Sequence, residues 1–161
     1  MILASLCYVK RAGKTLMMHR IRREGDMHRG KWNGLGGKMM EGETPEECVI
    51  REVYEEAGIK IINPRLRGIL TFPEFNRGVN WYAFVFTAGE FSGEPVGECD
   101  EGVLEWISDP EVTALNLWEG DKYFLRWIED ERFFSGKFCY NEGRLLSHEV
   151  TFYEDRAPGV V

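Results

Sequence analysis

Residues 36–59 read GGKMMEGETPEECVIREVYEEAGI, and they contain an electrostatic contradiction. Thr44-Pro45-Glu46-Glu47 supplies an N-cap threonine, a proline at N1 and a glutamate at N3, the capping box that starts a helix. Gly58 supplies the residue that ends one, so the spacing predicts a helix over Pro45–Ala57. At ~100° per residue, Val49, Ile50, Val53 and Ala57 form one apolar wedge. Glu52, Glu55 and Glu56 form a separate wedge, away from the core. The last turns of a helix disfavour negative charge, and Glu52 and Glu56 repel each other at i, i+4 by roughly 0.2–0.5 kcal/mol. Carboxylates crowded in this way need cationic partners.

The charge along the chain supplies some. The whole sequence carries −7, yet residues 10–38 hold nine Lys/Arg against Glu24 and Asp26. That segment is +7 and the remainder −14. The acidic total argues against an extended nucleic-acid polymer as partner. A basic segment just upstream of an acidic helix suits a small, multiply charged anion that carries a metal. The 161 residues fit one domain, 1–161, and 43% hydrophobic content allows a sizeable core. No apolar run approaches the ~20 residues that cross a bilayer. MILASLCYVKRAGK lacks a basic stretch before its apolar residues, as a cleaved leader would have. No membrane partner and a cytoplasmic location are therefore expected. Cys7, Cys48, Cys99 and Cys139 show no C-x-x-C, which favours buried free thiols over metal or disulfide sites.

Strands are expected at ILASLCYV, TLMMHR, INPRLRGILTF, VNWYAFVFTA and VLEWIS, rich in β-branched and aromatic residues. DKYFLRWIED has helical spacing at Tyr123, Phe124, Trp127 and Ile128. KFCYNEGRLLSHEVTFYE reads as a hairpin about Asn141-Glu142-Gly143. IRREGDMHRGKWNG, polar and glycine-dotted, reads as an exposed loop able to cover a ligand. The fold class is α/β (α+β), a mixed sheet sandwiched between helices.

Gly37, five residues, Glu43, seven residues, then Arg51-Glu52-Val53-Tyr54-Glu55-Glu56-Ala57-Gly58-Ile59 resembles the Nudix box at every fixed position. At residue frequencies of roughly 5–10% per position, chance agreement throughout is very improbable. The chemistry fits the pattern: one helical turn brings Glu52, Glu55 and Glu56 where their oxygens can meet a hard cation. Mg²⁺ takes one or two protein carboxylates plus water and substrate phosphate. Such an ion neutralises a polyphosphate and makes bound water nucleophilic. Glu43 and Arg51 are placed to pair and hold the glycine turn against the helix.

The resemblance implies site roles. Glu52 and Glu56 resemble the principal metal ligands, with Glu55 a further ligand or water activator, and Arg51 belongs to the same catalytic set. The Gly36 carbonyl resembles the backbone ligand, and Glu101 an acid outside the box. Gly37, Glu43 and Gly58 match its structural positions. Arg20, Arg23 and Lys38 resemble phosphate contacts, with Arg22 an alternative. The implied cofactor is Mg²⁺, or Mn²⁺.

The flanks narrow the substrate. GKWNGLGGK, TFPEF, NWYAFVF, LEW, WEGD and FFSGKF…FYE resemble the MutT/MutX-type 8-oxo-dGTP diphosphatases. That implies hydrolysis of a nucleoside triphosphate, preferably an oxidised purine, to monophosphate and pyrophosphate by water attack at the β-phosphorus. Its biological sense would be cleansing of the nucleotide pool. Asn33, Phe72, Trp81, Trp118 and Asp121 are then the base-binding candidates. Mammalian members carry two consecutive aspartates where this chain has Gly120-Asp121, so recognition by a paired carboxylate edge is open. The alternatives are the same chemistry on ADP-ribose, dinucleoside polyphosphate or an unmodified nucleotide, and a non-catalytic nucleotide sensor. A monomer or weak homodimer is expected.

Overall fold

The helix of the opening stretch is present residue for residue. In the computed structural model, which describes residues 1–154, α1 spans Pro45–Ala57. Thr44 Oγ1 accepts from the Glu47 N–H at 3.1 Å, and Glu47 Oε2 accepts from the Thr44 N–H at 2.8 Å. Losing that threonine cap would cost ~0.5–2 kcal/mol. Gly58 ends the helix at φ 71°, a left-handed value that glycine adopts without a Cβ penalty, and its N–H donates to the Tyr54 carbonyl at 2.8 Å.

The strands are β1 (Ile2–Arg11), β2 (Lys14–His19), β3 (Trp32–Asn33), β4 (Leu35–Lys38), β5 (Lys60–Ile62), β6 (Arg65–Asn76), β7 (Val79–Ala88), β8 (Glu90–Ser92), β9 (Val103–Ser108), β10 (Phe133–Asn141) and β11 (Arg144–Tyr153). The further helices are α2 (Asp109–Val112) and α3 (Asp121–Glu129). Among the described residues the main sheet runs β11-β10-β6-β7-β1-β2-β3, with β4 also on β1 and β9 on β2, while β5 and β8 pair apart. β1 lies parallel to β7, and β10 parallel to β6; the other pairs are antiparallel, so the sheet is mixed. The long strands and α3 lie where the residue pattern placed them. The short pieces β3, β4, β5, β8 and α2 escaped it because they take their geometry from neighbours rather than from their own two to four residues.

Both faces of the sheet are covered. Along β1, Cys7 and Val9 join a core with Val49, Val53 and Ala57 of α1, while Tyr8 joins another with Phe124 and Ile128 of α3. This is the expected sandwich, built from the period-2 alternation of strand side chains. Fully burying Val53 contributes ~1.5–3 kcal/mol. Two expectations about α1 need correction. Ile50 is only partly buried, though it packs against that core, and Glu56, placed away from the core by its wedge, is 7% exposed. All four cysteines are free, but only Cys7 and Cys48 are buried.

Three features of the fold aim the site. β4 pairs with β1 so that Ala4, Ser5 and Leu6 face Lys38, Gly37 and Gly36. A Cβ on Gly36 would sit 2.0 Å from the Ser5 carbonyl oxygen, which only glycine avoids. Ser5 Oγ also donates to the Pro45 carbonyl at 3.0 Å, fastening β1 to the start of α1. At the opposite side, buried Arg67 donates to the carbonyls of Ile128 and Asp130, capping the C-terminus of α3. Among the described residues, no helix is long and apolar enough to cross a membrane.

Candidate active site

The carboxylates of α1 are held by one arginine. Arg51 grips Glu43 with Nε to Oε1 at 2.6 Å and Nη2 to Oε2 at 2.9 Å, the bidentate geometry expected of that pair. Its Nη1 donates to Glu52 at 2.7 Å and Glu55 at 3.3 Å, and Nη2 also donates to the Lys38 carbonyl at 3.1 Å. Arg51 holds the Glu43 carboxyl down at about 2, and the pairing raises Arg51 above its ordinary value. Glu56 behaves differently. Its Oε1 accepts the Gly36 N–H at 3.3 Å, while Oε2 is buried without a hydrogen-bond partner among the described residues. Burial, then the charges of Glu101 and Glu52, push Glu56 well above the usual carboxylate range. Burial also raises Glu52, against the pull of Arg51.

Glu101 is engaged from the other side. Arg20 Nη1 lies 3.2 Å from Glu101 and Arg23 Nη1 3.5 Å from it, while Arg20 Nε donates to Asp26 at 2.7 Å. Arg22 pairs with Glu98. The basic loop after β2 is thus fastened to the acidic loop before β9. Among the described residues no three acidic, histidine or cysteine side chains converge into a ready metal cage. Glu52 and Glu55 share the Arg51 guanidinium, Glu56 turns to the Gly36 N–H, and Glu101 meets Arg20 and Arg23.

Aromatic side chains build the far end. Phe75, Trp118 and Tyr140 pack edge to face, with centroids 5.3 Å apart for Phe75–Trp118 and for Phe75–Tyr140, and 5.6 Å for Trp118–Tyr140. Phe72 lies 5.3 Å from Phe75. On a regular strand residues 72 and 75 would face opposite ways, but β6 is bulged between Phe72 and Asn76, so both reach the same space. Trp118 Nε1 donates to His28 Nδ1 at 2.8 Å, and burial depresses His28 to about 4, so the imidazole is neutral. Asp121 opens α3 and is buried, which pushes its carboxyl up to about 8 despite Lys31 nearby. Asn33 Nδ2 and Trp81 Nε1 are buried donors without partners among the described residues.

One cavity of about 550 Å³ joins the two ends. Its lining includes Glu52, Glu101, Arg20, Arg23 and Lys38 at the charged end, with Gly36 and Gly37 beside them. It continues past Asn33, Phe72, Trp81, Trp118 and Asp121. A NUDIX domain family model matches residues 2–128, most of the chain. The chain belongs to the Nudix hydrolase family. It is 35% identical over 149 residues to an uncharacterised Nudix hydrolase, YvcI, of Bacillus subtilis, covering 89% of this chain and 90% of that one. It is 29% identical to the mouse oxidized purine nucleoside triphosphate hydrolase, over 75% of this chain and 78% of that one. Its fold matches the MutT protein of Bacillus halodurans with a TM-score of 0.84 at 34% identity, covering 93% and 97% of the two chains. This Nudix hydrolase is therefore MutT-like, a pyrophosphohydrolase of nucleotide-like substrates from a family that typically uses a divalent metal.

Of the site residues read from the sequence, Glu55, Glu56, Arg51, Glu43 and Gly58 lie outside the cavity lining. Arg51 and Glu43 brace its floor, and Gly58 ends the helix behind it. Phe75, Tyr140 and His28 also line the cavity, and nothing in their local residue pattern marks them out. Phe75 is hidden by the bulge; Tyr140 and His28 are placed by pairing partners remote in sequence. The donor set fits a hard divalent ion: carboxylate and carbonyl oxygens, with buried Glu56 Oε2 unpartnered. Gly37 completes the fit, since a Cβ there would meet the Glu52 carboxyl carbon at 2.4 Å.

Proposed function

We propose that this Nudix hydrolase cleaves an oxidised purine nucleoside triphosphate of the 8-oxo-dGTP type, releasing the monophosphate and pyrophosphate in the cytoplasm. The single observation that carries this reading is the continuous cavity, with carboxylates and cations at one end and an aromatic box bearing a buried carboxyl group at the other. The likeness to the mouse oxidized purine nucleoside triphosphate hydrolase supports the same choice.

In this reading Glu52, Glu55, Glu56, Glu101 and the Gly36 carbonyl hold Mg²⁺ or Mn²⁺. When bound, the ion supplies charge neutralisation on the phosphates and a water acidic enough to be a nucleophile. The protein supplies the rest. Arg20, Arg23 and Lys38 bind the phosphate oxygens and stabilise the charge that spreads over them as the β-phosphorus is attacked. Arg51 and Glu43 keep the glycine turn seated on α1. Trp118 and Trp81 stack on the base, worth on the order of 1–3 kcal/mol per base. Phe72 floors the pocket, while Asn33 and Asp121 meet the base edge.

A panel of nucleotides with Mg²⁺, scored for pyrophosphate release, tests the reading. Oxidised dGTP should show a kcat/KM at least about tenfold above that of dGTP, and a chelator should abolish turnover. Equal values would assign the enzyme to unmodified nucleotides, and AMP formed from ADP-ribose would assign it to that substrate.

A further inference from the structure

Gly120 stands where a second carboxylate was in question, and the structure shows what fills the room. A Cβ on Gly120 would lie 2.6 Å from Tyr140 Oη and 2.7 Å from Phe138 Cδ1, far inside van der Waals contact. The Gly120 N–H donates to Tyr140 Oη at 2.7 Å. The next residue is Asp121, and Tyr140 and Asp121 line the same cavity. Tyr140 is packed by Phe75 and Trp118, whose rings meet its own edge to face. A phenol has one proton to give and two lone pairs. Here the Gly120 N–H takes a lone pair, and among the described residues the hydroxyl proton reaches no acceptor.

We propose that Tyr140 is a specificity-determining residue that selects a 6-oxo purine, its hydroxyl donating to O6 while the Asp121 carboxylate accepts from the N1–H and 2-amino groups of the same edge. This rests on the purine-binding reading above, and it gives Gly120-Asp121 a physical account. The guanine-type edge presents one acceptor and two donors in a row, matched by one hydroxyl proton and one two-oxygen acceptor. Against a 6-amino purine the hydroxyl must turn to accept with its second lone pair, which leaves its own proton without an acceptor in the cavity, and a buried donor left without an acceptor is costly. A carboxyl at position 120 would be able to switch between donor and acceptor. Burial pushes the Tyr140 phenol upward, so its proton stays in place at any physiological pH. The exchange of a carboxylate for a phenol therefore narrows the accepted edge.

Equilibrium binding separates this proposal from catalysis. The ligands are 8-oxo-dGMP and its 2,6-diaminopurine counterpart, which replaces O6 by an amine and the N1–H by a bare ring nitrogen while keeping the sugar, phosphate and 2-amino group. Wild-type protein should prefer 8-oxo-dGMP by about tenfold or more. Tyr140→Phe should lose roughly tenfold in affinity for 8-oxo-dGMP and stay within about twofold for the diaminopurine ligand. Equal losses on both ligands would make Tyr140 merely structural and overturn the proposal. So would an absence of preference in the wild type, a comparison that needs no variant to fold. Tyr140-dependent binding without pyrophosphate release from 8-oxo-dGTP would leave the proposal standing and sink the catalytic reading. Turnover of 8-oxo-dGTP without a preference for O6 would do the reverse.

Discussion

The two ends of the cavity are built on opposite plans. At the charged end, Arg51 reaches Glu43, Glu52 and Glu55 within one stretch of sequence at 2.6–3.3 Å, while the buried Glu56 Oε2 has no partner among the described residues. At the aromatic end, Phe75, the Trp118–Asp121 stretch and Tyr140 come from three different segments, and buried donors on Asn33 and Trp81 lack partners among the described residues. The Arg51 cluster at the first end is locally determined and, Glu56 Oε2 apart, closed by internal contacts. The second is assembled by the fold and keeps unused hydrogen-bonding capacity for a ligand. Chemistry at the first should thus fail abruptly on substitution, while recognition at the second should change by degrees.

The largest expected break is Glu56→Gln. It removes the buried carboxylate whose Oε2 has no internal partner, and Mg²⁺-dependent pyrophosphate release should fall by roughly 10²–10³-fold or more. The fold should persist, because burial already disfavours the ionised form of Glu56 and a neutral amide avoids that cost. Wild-type-like turnover would remove Glu56 from the mechanism. A sharper contrast comes from two adjacent glycines. In Gly37→Ala the new methyl meets the tip of the Glu52 side chain at 2.4 Å, which can swing away. Thermal stability should barely change while kcat drops by about tenfold or more. In Gly36→Ala the methyl meets the Ser5 backbone carbonyl at 2.0 Å, so the β1–β4 pairing itself must yield and stability should fall. Equal melting temperatures for the two variants would refute this division.

The same contrast explains what was legible before any coordinates. The capping box, α1, its glycine stop and the Glu43–Arg51 pair depend on contacts a few residues apart, which spacing reveals. Long strands announce themselves by alternation. Burial of Glu56 did not show, because it depends on β4 and the acidic loop packing over the end of α1 rather than on the helix's own pattern. Nor did the arginine contacts of Glu101, or the bulge that turns Phe75 inward. Trp118 and Asp121 were found through their flanks; Tyr140 and His28, paired with Gly120 and Trp118, were not.

Smaller effects belong to the recognition end. Asp121→Ala should raise KM for oxidised purines roughly tenfold more than for a pyrimidine triphosphate, with kcat little changed. Equal changes for both substrates would assign Asp121 to structure alone.

The gentlest test is the pH dependence of stability without ligand. Burial raises Asp121 from an ordinary 3.8 to about 8 in the folded protein, whereas the unfolded chain keeps the ordinary value. Between these values the folded state retains a proton that the unfolded state has lost. The unfolded state therefore binds fewer protons, and stability falls as pH rises through that window. The contribution is intact below about 4 and fully lost above about 8. Asp121→Asn removes the titration, so the difference in melting temperature between variant and wild type should move in the variant's favour from pH 5 to pH 8. A difference that stays constant across that range would show that Asp121 ionises normally in the folded protein. It would also mean that the base edge meets a carboxylate already charged, so that purine binding near neutral pH releases no proton from Asp121.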